Sequence, residues 1–153
     1  MMHQKTMHHY PRFAAMMLLS FLAMYAFMYA MVDGPDHVHP NLNNAYMAGL
    51  MVAPMAVFEI ALMGMMYPSK QANRWIVAGG LLLLLLCWGA IRTQAAVGDR
   101  EFLRSMIPHH SGAILMCRQA TIADARIRQL CGEIIRNQRA EIDRMEAILR
   151  QLP

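Results

Sequence analysis

The stretch WIVAGGLLLLLLCWGAI, residues 75–91, is the clearest sign of the fold class, because it is apolar throughout and carries no charged side chain. Extended to Val97, it reaches the length of about 20 residues that an α-helix needs to cross the hydrocarbon core of a membrane. Two more apolar runs precede it, from Phe13 to Val32 and from Ala45 to Tyr67. The sequence therefore predicts an all-α protein with three transmembrane helices, at about residues 13–32, 45–67 and 75–97.

The composition agrees with a lipid bilayer as the main partner. Of the 153 residues, 57% are hydrophobic and 16% are charged, and ten of the 14 basic and seven of the 10 acidic residues lie from Arg92 onward. The net charge of +4 comes mainly from Arg interleaved with acids, without aromatic platforms or a Gly-rich phosphate loop. No nucleic-acid partner is expected from this pattern.

The charges of the short segments predict the orientation in the membrane. They are Lys5 and Arg12 at the N-terminus, Asp33 and Asp36 in the first loop, and Lys70 and Arg74 in the second loop. Because basic segments stay on the cytoplasmic side, the N-terminus is expected there, and the first loop and everything after the third helix outside. We expect a multi-pass protein of a bacterial inner (plasma) membrane with a periplasmic or extracellular C-terminal part. A signal peptide is disfavoured because the first apolar run exceeds the about 7 to 15 residues of an h-region.

From Asp99 onward the sequence has the pattern of amphipathic helix, interrupted near Thr121 to Asp124. Thr and Asp in the interruption can cap a second helix. The result is a predicted helical hairpin of about Asp99 to Ala120 and Asp124 to Leu149. Two domains follow, a membrane domain of residues 1–97 and a hairpin metal-binding domain of residues 98–153.

Each hairpin helix has a stripe of residues at spacings of three and four. The first stripe is Phe102, Met106, His109, Ala113 and Met116, with His110 beside it, and the second is Ile127, Leu130, Cys131, Ile134, Gln138, Glu141, Ile142, Met145, Ile148 and Leu149. A polar group on a buried stripe costs free energy unless it has a partner. Antiparallel neighbours with residue numbers summing to about 247 would set His109 opposite Gln138 and Met106 opposite Glu141, within about one helical turn.

Imidazole and thioether groups from one helix, facing a carboxylate and another thioether, form a mixed soft and borderline ligand set. Such a set suits copper in either oxidation state, or silver, better than magnesium or calcium. Pro108 removes one backbone hydrogen bond and could bend the helix so that His109 and His110 both point inward. The alternative is that the two His residues are polar surface or satisfied core groups.

The three Cys residues and the remaining His and acidic residues allow further expectations. Cys117 and Cys131 could form a disulfide near the hairpin turn in an oxidising compartment, or both could fill the core. Cys87 is expected to pack in the third membrane helix. Glu59, the sole acid inside an apolar run, is either functional or a helix-packing partner. Solvated positions are favoured over auxiliary metal contacts for His3, His8, His9, His37 and His39.

The segments DREFLRSMIPHHSGAILMCRQA, residues 99–120, and IIRNQRAEIDRMEAIL, residues 134–149, closely resemble the domain-of-unknown-function 305 (DUF305) family of ferritin-like proteins. The three apolar runs look like a membrane-anchored branch of that family. The resemblance implies a helical bundle, and an association with periplasmic copper or silver binding and tolerance. Carried over residue by residue, it implies a ligand set of Met106, His109, His110, Met116, Gln138, Glu141 and Met145.

Many members of the family resemble four-helix bundles made of two hairpins, whereas this chain has one hairpin. A lone hairpin of about 50 residues buries little core, so a homodimer that completes the bundle, or packing on the membrane helices, is expected.

The function expected from these features is a membrane-anchored periplasmic protein that sequesters copper or silver without catalysis. The alternative is a structural or interaction subunit whose polar stripe fixes helix register. A ferritin-like di-metal oxidoreductase is disfavoured because the hairpin has no Glu-x-x-His motif and too few inward carboxylates. A transporter is less favoured still, since three helices make no pathway without oligomerisation.

Overall fold

The structure is a computed structural model that describes residues 9–153. Its five α-helices in this range are α1 (His9–Phe27), α2 (Leu42–Met63), α3 (Lys70–Thr93), α4 (Asp99–Gln119) and α5 (Ala125–Gln151). Short 3₁₀ turns occur at Met28–Met31, Pro35–His37 and Gly64–Met66. No strand occurs among the described residues, so the all-α prediction is confirmed for them.

Three helical segments are long and apolar enough to cross a membrane, as the sequence predicts. They are His9–Met31, Leu42–Met66 and Lys70–Thr93. The third begins before the predicted Trp75 because the Ser69 side chain caps it, accepting a hydrogen bond from the amide of Ala72. It ends before Val97 because Gln94 adopts a left-handed conformation with φ of 52°. Hydropathy marks the apolar centre of a helix, whereas caps set its ends.

The chain divides into two units, and each is described separately. The membrane unit comprises Met1–Phe27 and Ala45–Ala95, of which the structure describes His9 onward. The hairpin unit comprises Met28–Asn44 and Ala96–Pro153. The sequence-based division at residue 97 placed residues 28–44 in the membrane domain, whereas the structure groups them with the hairpin.

Small residues bring α2 and α3 close together in the membrane unit. A Cβ added at Gly80 would lie 3.0 Å from Val57 Cγ2 and 3.1 Å from the Ala53 carbonyl oxygen. A Cβ added at Gly49 would lie 2.8 Å from Cys87 Sγ. Cys87 is therefore buried as a packing residue, as expected. Close approach through small side chains is how helices associate in lipid, where the hydrophobic effect between them is weak.

Glu59, in the second apolar run, has a hydrogen-bond partner inside the membrane unit. The Tyr67 hydroxyl donates to Glu59 Oε1 over 2.8 Å, and the ring of Tyr67 contacts those of Tyr10 and Phe13. Of the two interpretations that the sequence left open, this contact favours the packing partner.

Helices α4 and α5 form the predicted antiparallel hairpin. Its core consists of Ile107, Ile114 and Ile142, and the partly buried side chains packed on it are Ile135, Met145 and Leu149. The Asp124 carboxylate accepts the Arg126 amide over 2.8 Å and caps α5, as predicted. At the other end of the hairpin, Arg100 Nη2 donates to the Leu152 carbonyl over 2.8 Å.

The buried face of α4 lies one position away from the predicted stripe. Leu103, Ile107 and Ile114 are buried, whereas Phe102 and Met116 remain 50% and 53% exposed. The predicted stripe was wrong as the core of the hairpin because α4 is covered on two sides, by α5 and by residues 28–44. Two buried faces blur the single 3.6-residue period from which the stripe was inferred.

Cys117 and Cys131 are joined by a disulfide, with their Cα atoms 5.2 Å apart. The bond connects the end of α4 to the start of α5 and encloses the turn between them. The sequence allowed either a disulfide or two thiols that fill the core, and the structure contains the disulfide.

Replacing Cys117 and Cys131 together by Ala should destabilise the hairpin by about 3 kcal/mol, because the cross-link limits the entropy of the unfolded loop. Amide hydrogen exchange in α4 and α5 of the full chain in detergent measures this loss. Cys87→Ala, in the membrane unit, is the control and should leave exchange in α4 and α5 unchanged. Equal protection in the double variant and the parent protein would contradict the expectation.

The adjacent glycines Gly79 and Gly80 provide a matched pair of substitutions in α3. Gly80→Ala should destabilise the membrane unit by about 1–3 kcal/mol, the usual cost of overpacking. Gly79→Ala should be neutral or slightly stabilising, because no atom lies within 4 Å of its added Cβ. Thermal unfolding in one detergent compares the two variants. An equal effect of both would show that the close contact of α2 and α3 at Gly80 does not determine the stability of the membrane unit.

Candidate metal centre

Helix α4 presents the predicted ligands on two different faces. Met106, His109 and Met116 line a cavity, whereas His110 faces Glu141 of α5. The two imidazole centroids lie 6.1 Å apart with ring planes at 65°. Consecutive residues of an α-helix point about 100° apart, so vicinal rings diverge, and Pro108 within α4 does not bring both to one side.

His110 lies between α4 and α5, and its two ring nitrogens have different surroundings. Its Nε2 is 3.6 Å from Glu141 Oε2, while its Nδ1 is buried without a hydrogen-bond partner among the described residues. In the tautomer with the proton on Nε2, the lone pair on Nδ1 is available. In many ligating His residues a carboxylate accepts a hydrogen bond from the other ring nitrogen; here the 3.6 Å contact with Glu141 is an ion-pair distance, longer than a hydrogen bond.

Burial lowers the pKa of His110 below its ordinary value of 6.5; the Glu141 carboxylate partly opposes this effect and His109 reinforces it. The neutral imidazole is the form that can bind a metal ion. The environment therefore favours the form that can act as a ligand.

Gln138, one turn before Glu141 on α5, contributes a second buried acceptor. Its Oε1 has no hydrogen-bond partner within residues 9–153. Buried polar atoms are nearly always paired in proteins, and each exception calls for an explanation such as an absent water or ion. Gln138 Oε1 can only accept, and His110 Nδ1 also accepts when the proton is on Nε2, so in that tautomer both atoms suit a cation better than an anion.

The pairing of the two helices differs from the predicted register. His110, and not Met106, is opposite Glu141. The rule that paired residue numbers sum to about 247 predicted the Cys117 to Cys131 contact correctly. Farther from the turn, the rule predicted the position along the helix axis only approximately. It also cannot predict the direction in which a side chain points from the axis.

The remaining predicted ligand, Met145, packs on the core of Ile107, Ile114 and Ile142. The seven predicted residues are thus divided among a cavity, a pair between helices and a core position, rather than gathered in one cluster.

The cavity lies wholly in the hairpin unit and has a volume of about 470 Å³. Its donor side chains are the thioethers of Met28, Met31, Met106 and Met116 and the imidazole of His109. Sequence analysis missed Met28 and Met31, because Met in an apolar run is usually a lipid-facing or gap-filling residue. The signal that could have found them is the orientation, which put the first loop on the same side as the hairpin.

Segment 28–44 is fastened to α4 through Ser111, which is fully buried. The Ser111 hydroxyl oxygen accepts the Asp33 amide over 2.8 Å and lies 2.8 Å from His37 Nδ1. The Asp33 carboxylate receives two hydrogen bonds from Arg118 Nη1, of 2.6 and 2.8 Å. Both contacts come from one guanidinium nitrogen, and charge-assisted hydrogen bonds of this kind are stronger than neutral ones.

A second set of contacts fixes the far end of the segment. The Leu42 amide donates to Glu101 Oε2 over 3.0 Å, and Asn43 Nδ2 donates to Ser105 Oγ over 3.2 Å. The Met31 backbone lies against Gly112, where an added Cβ would be in ordinary van der Waals contact, 3.4 Å from the Met31 carbonyl oxygen. Residues 28–44, which form one wall of the cavity, are therefore held on α4 by hydrogen bonds at both ends of the segment.

The two loop His residues are part of this packing, which corrects the expectation that they are solvated. His37 contacts Ser111, and His39 Nε2 is buried with no hydrogen-bond partner in the described part of the chain. Burial lowers the pKa of His39, aided by Arg104 and His37 and opposed by Glu146. His9 lies beside the Tyr67 ring in the membrane unit. His3 and His8 lie outside the described residues.

Residues 9–153 contain no group of three or more His, Cys, Asp or Glu side chains placed to hold one metal ion. The candidate centres therefore combine imidazole with thioether, amide and carboxylate groups. A tight tetrahedral zinc site made only of His, Cys and acids is not formed by the described residues.

Comparison with known proteins finds a matching family and a related viral protein. Residues 89–149 match the family described as Domain of unknown function (DUF305). An uncharacterized protein of Acanthamoeba polyphaga mimivirus is 35% identical over 137 residues, which cover 88% of this chain and 88% of the viral protein. The chain belongs to the DUF305 family. Because the viral match is longer than the DUF305 region, it includes part of the helices before residue 89. No solved structure matches the chain significantly.

The lowered pKa of His110 makes the stability of this DUF305 hairpin depend on pH. Below about pH 6.5 the unfolded chain binds a proton that the folded chain does not, so the free energy of unfolding should fall as the pH drops through this value. The decline should end where the folded form also becomes protonated. His110→Asn should reduce the slope, as measured by the thermal unfolding of the full chain in detergent. A variant with the slope of the parent protein would contradict this assignment, and the remaining slope would then come from His39.

Proposed function

We propose that this protein is membrane-tethered and binds copper or silver ions through its hairpin unit, which sequesters the metal without catalysis. The observation that carries this proposal is His110, with a buried, unpaired Nδ1 and an Nε2 3.6 Å from Glu141. A neutral imidazole held in this way offers one lone pair to a cation. Gln138 Oε1, on the facing helix, is also buried and has no hydrogen-bond partner among the described residues.

The donor types support copper or silver over other metals. Imidazole suits several borderline transition metals, but thioethers select soft ions. The cavity on the other face of α4 contributes four Met side chains and His109. Magnesium and calcium prefer oxygen ligands, of which these two regions offer few.

A location of the hairpin unit on the outer side of the membrane is part of the proposal. Two independent features support it: the basic residues Lys5, Arg12, Lys70 and Arg74 predict the orientation, and the disulfide of Cys117 and Cys131 suits an oxidising compartment. In a bacterial inner membrane this would be the periplasmic face.

A homodimer is also part of the proposal, since one hairpin buries little apolar surface. On α5, Ile127, Leu130 and Ile148 remain 49%, 52% and 41% exposed. These side chains would be covered in a four-helix bundle formed with a second copy. The same exposed residues favour the second candidate function, a structural or interaction subunit, which differs in having no need for metal.

Titration of the full chain in detergent with Cu(I), Ag(I), Cu(II) and Zn(II), against a competing chelator, tests the function. The wild type should bind copper or silver, and His109→Ala/His110→Ala should weaken binding by at least about tenfold, the lower end of what loss of an orienting group costs. His9→Ala, in the membrane unit, is the control and should bind as the wild type does. Absence of binding by the wild type, or unchanged binding by the double variant, would leave the structural subunit as the better candidate.

A further inference from the structure

We propose that the hairpin unit has a second, thioether-rich site, and that a soft monovalent ion, Cu(I) or Ag(I), binds there with Met28 and Met31 among its ligands. This inference rests on the proposed function and names the ion that one of the two candidate centres would bind. It also extends the site beyond residues 89–149, which match the family, to Met28 and Met31, which precede residue 89 by more than 50 residues.

The chemistry of the cavity favours a monovalent soft ion. Four thioethers and one imidazole surround it, and none of the described residues that line it carries a carboxylate. Thioethers are neutral and polarizable, so they stabilise Cu(I) and Ag(I) but offer little to hard or divalent ions. The lining amides Asn43 and Asn44 add no charge.

The cavity differs from the ordinary use of Met as a filler of apolar gaps. A gap-filling Met occupies the space between its neighbours, whereas these side chains surround a space of about 470 Å³. A single water molecule takes up about 30 Å³ of liquid, so the space is large enough for an ion that arrives partly hydrated. Met31 and Met116 are 51% and 53% exposed and are therefore accessible to an incoming ion.

The two halves of the ligand set are held in place by contacts that do not involve the donors. Ser111 binds the Asp33 amide and His37, and Arg118 pairs with Asp33, so the segment that begins with Met28 stays against α4. The Met31 backbone lies directly against Gly112 of α4. Pre-positioned donors lower the entropy lost when a ligand binds.

The site is separate from the centre at His110. His109 and His110 leave α4 in different directions, and His110 together with Glu141 and Gln138 lies outside the lining of the cavity. The nitrogen and oxygen donors near His110 suit a borderline ion such as Cu(II). The adjacent His residues therefore divide two metal chemistries between two faces of one helix.

The test compares Met28→Leu/Met31→Leu with the wild type as full chains in detergent. Leu keeps the apolar volume but removes the sulfur, so Ag(I) and Cu(I) affinity should fall by about tenfold or more, while Cu(II) binding at His110 should remain. Met65→Leu/Met66→Leu changes two exposed thioethers of the membrane unit and should have no effect. X-ray absorption of Ag(I) bound to the wild type should show sulfur neighbours.

Several outcomes would overturn the inference. Ag(I) affinity unchanged in Met28→Leu/Met31→Leu, or only nitrogen and oxygen neighbours around Ag(I) in the wild type, would exclude the thioether site. The proposed function would survive if His109→Ala/His110→Ala still weakened binding, whereas a wild type that binds none of the four metals would end both. If the first variant fails to fold, Met106→Leu/Met116→Leu replaces it with the same expected loss, and the absorption result on the wild type holds independently.

Discussion

The buried hydroxyl of Ser111 is the contact on which the arrangement of the hairpin unit depends. It lies on α4 at 0% exposure and is 2.8 Å from both the Asp33 amide and His37 Nδ1. A buried hydroxyl left without partners costs about 1–3 kcal/mol, so Ser111 and residues 28–44 each require the other. The ion pair of Arg118 with the Asp33 carboxylate fixes the same residue to α4 at a second point. These contacts hold the segment that begins with Met28 against α4.

Coverage of α4 on two sides separates two candidate centres with different donor groups. The face toward α5 buries Leu103, Ile107 and Ile114, and places His110 beside Glu141. The face toward residues 28–44 has the thioethers and His109. Because neighbouring side chains on a helix point about 100° apart, a vicinal His pair serves two faces and not one. His109 and His110 therefore belong to two different candidate centres and do not form one chelating motif.

Features that depend on local sequence were predictable, and those that depend on distant packing were not. Apolar length predicted three membrane-spanning candidates, the Asp124 cap predicted the start of α5, and a short turn brought Cys117 to Cys131. The buried face of α4, and the roles of Met28 and Met31, depend on a segment about 80 residues earlier in the chain, as the sequence separation of 78 between Asp33 and Ser111 illustrates. The spacing of apolar residues indicates that a helix is buried, but it does not identify the part of the chain that covers the helix.

The two centres also differ in how they respond to protons. His110 must be neutral to bind a metal, and burial favours that form, but acid still competes with the metal for Nδ1. Thioethers have no proton to lose and offer the same lone pairs at any physiological pH. The described hairpin leaves His110 Nδ1 and Gln138 Oε1 buried and unpaired, which costs stability. If the proposed ion binds the folded state and pairs these atoms, it would recover that stability, and its binding would be linked to the folding of the hairpin.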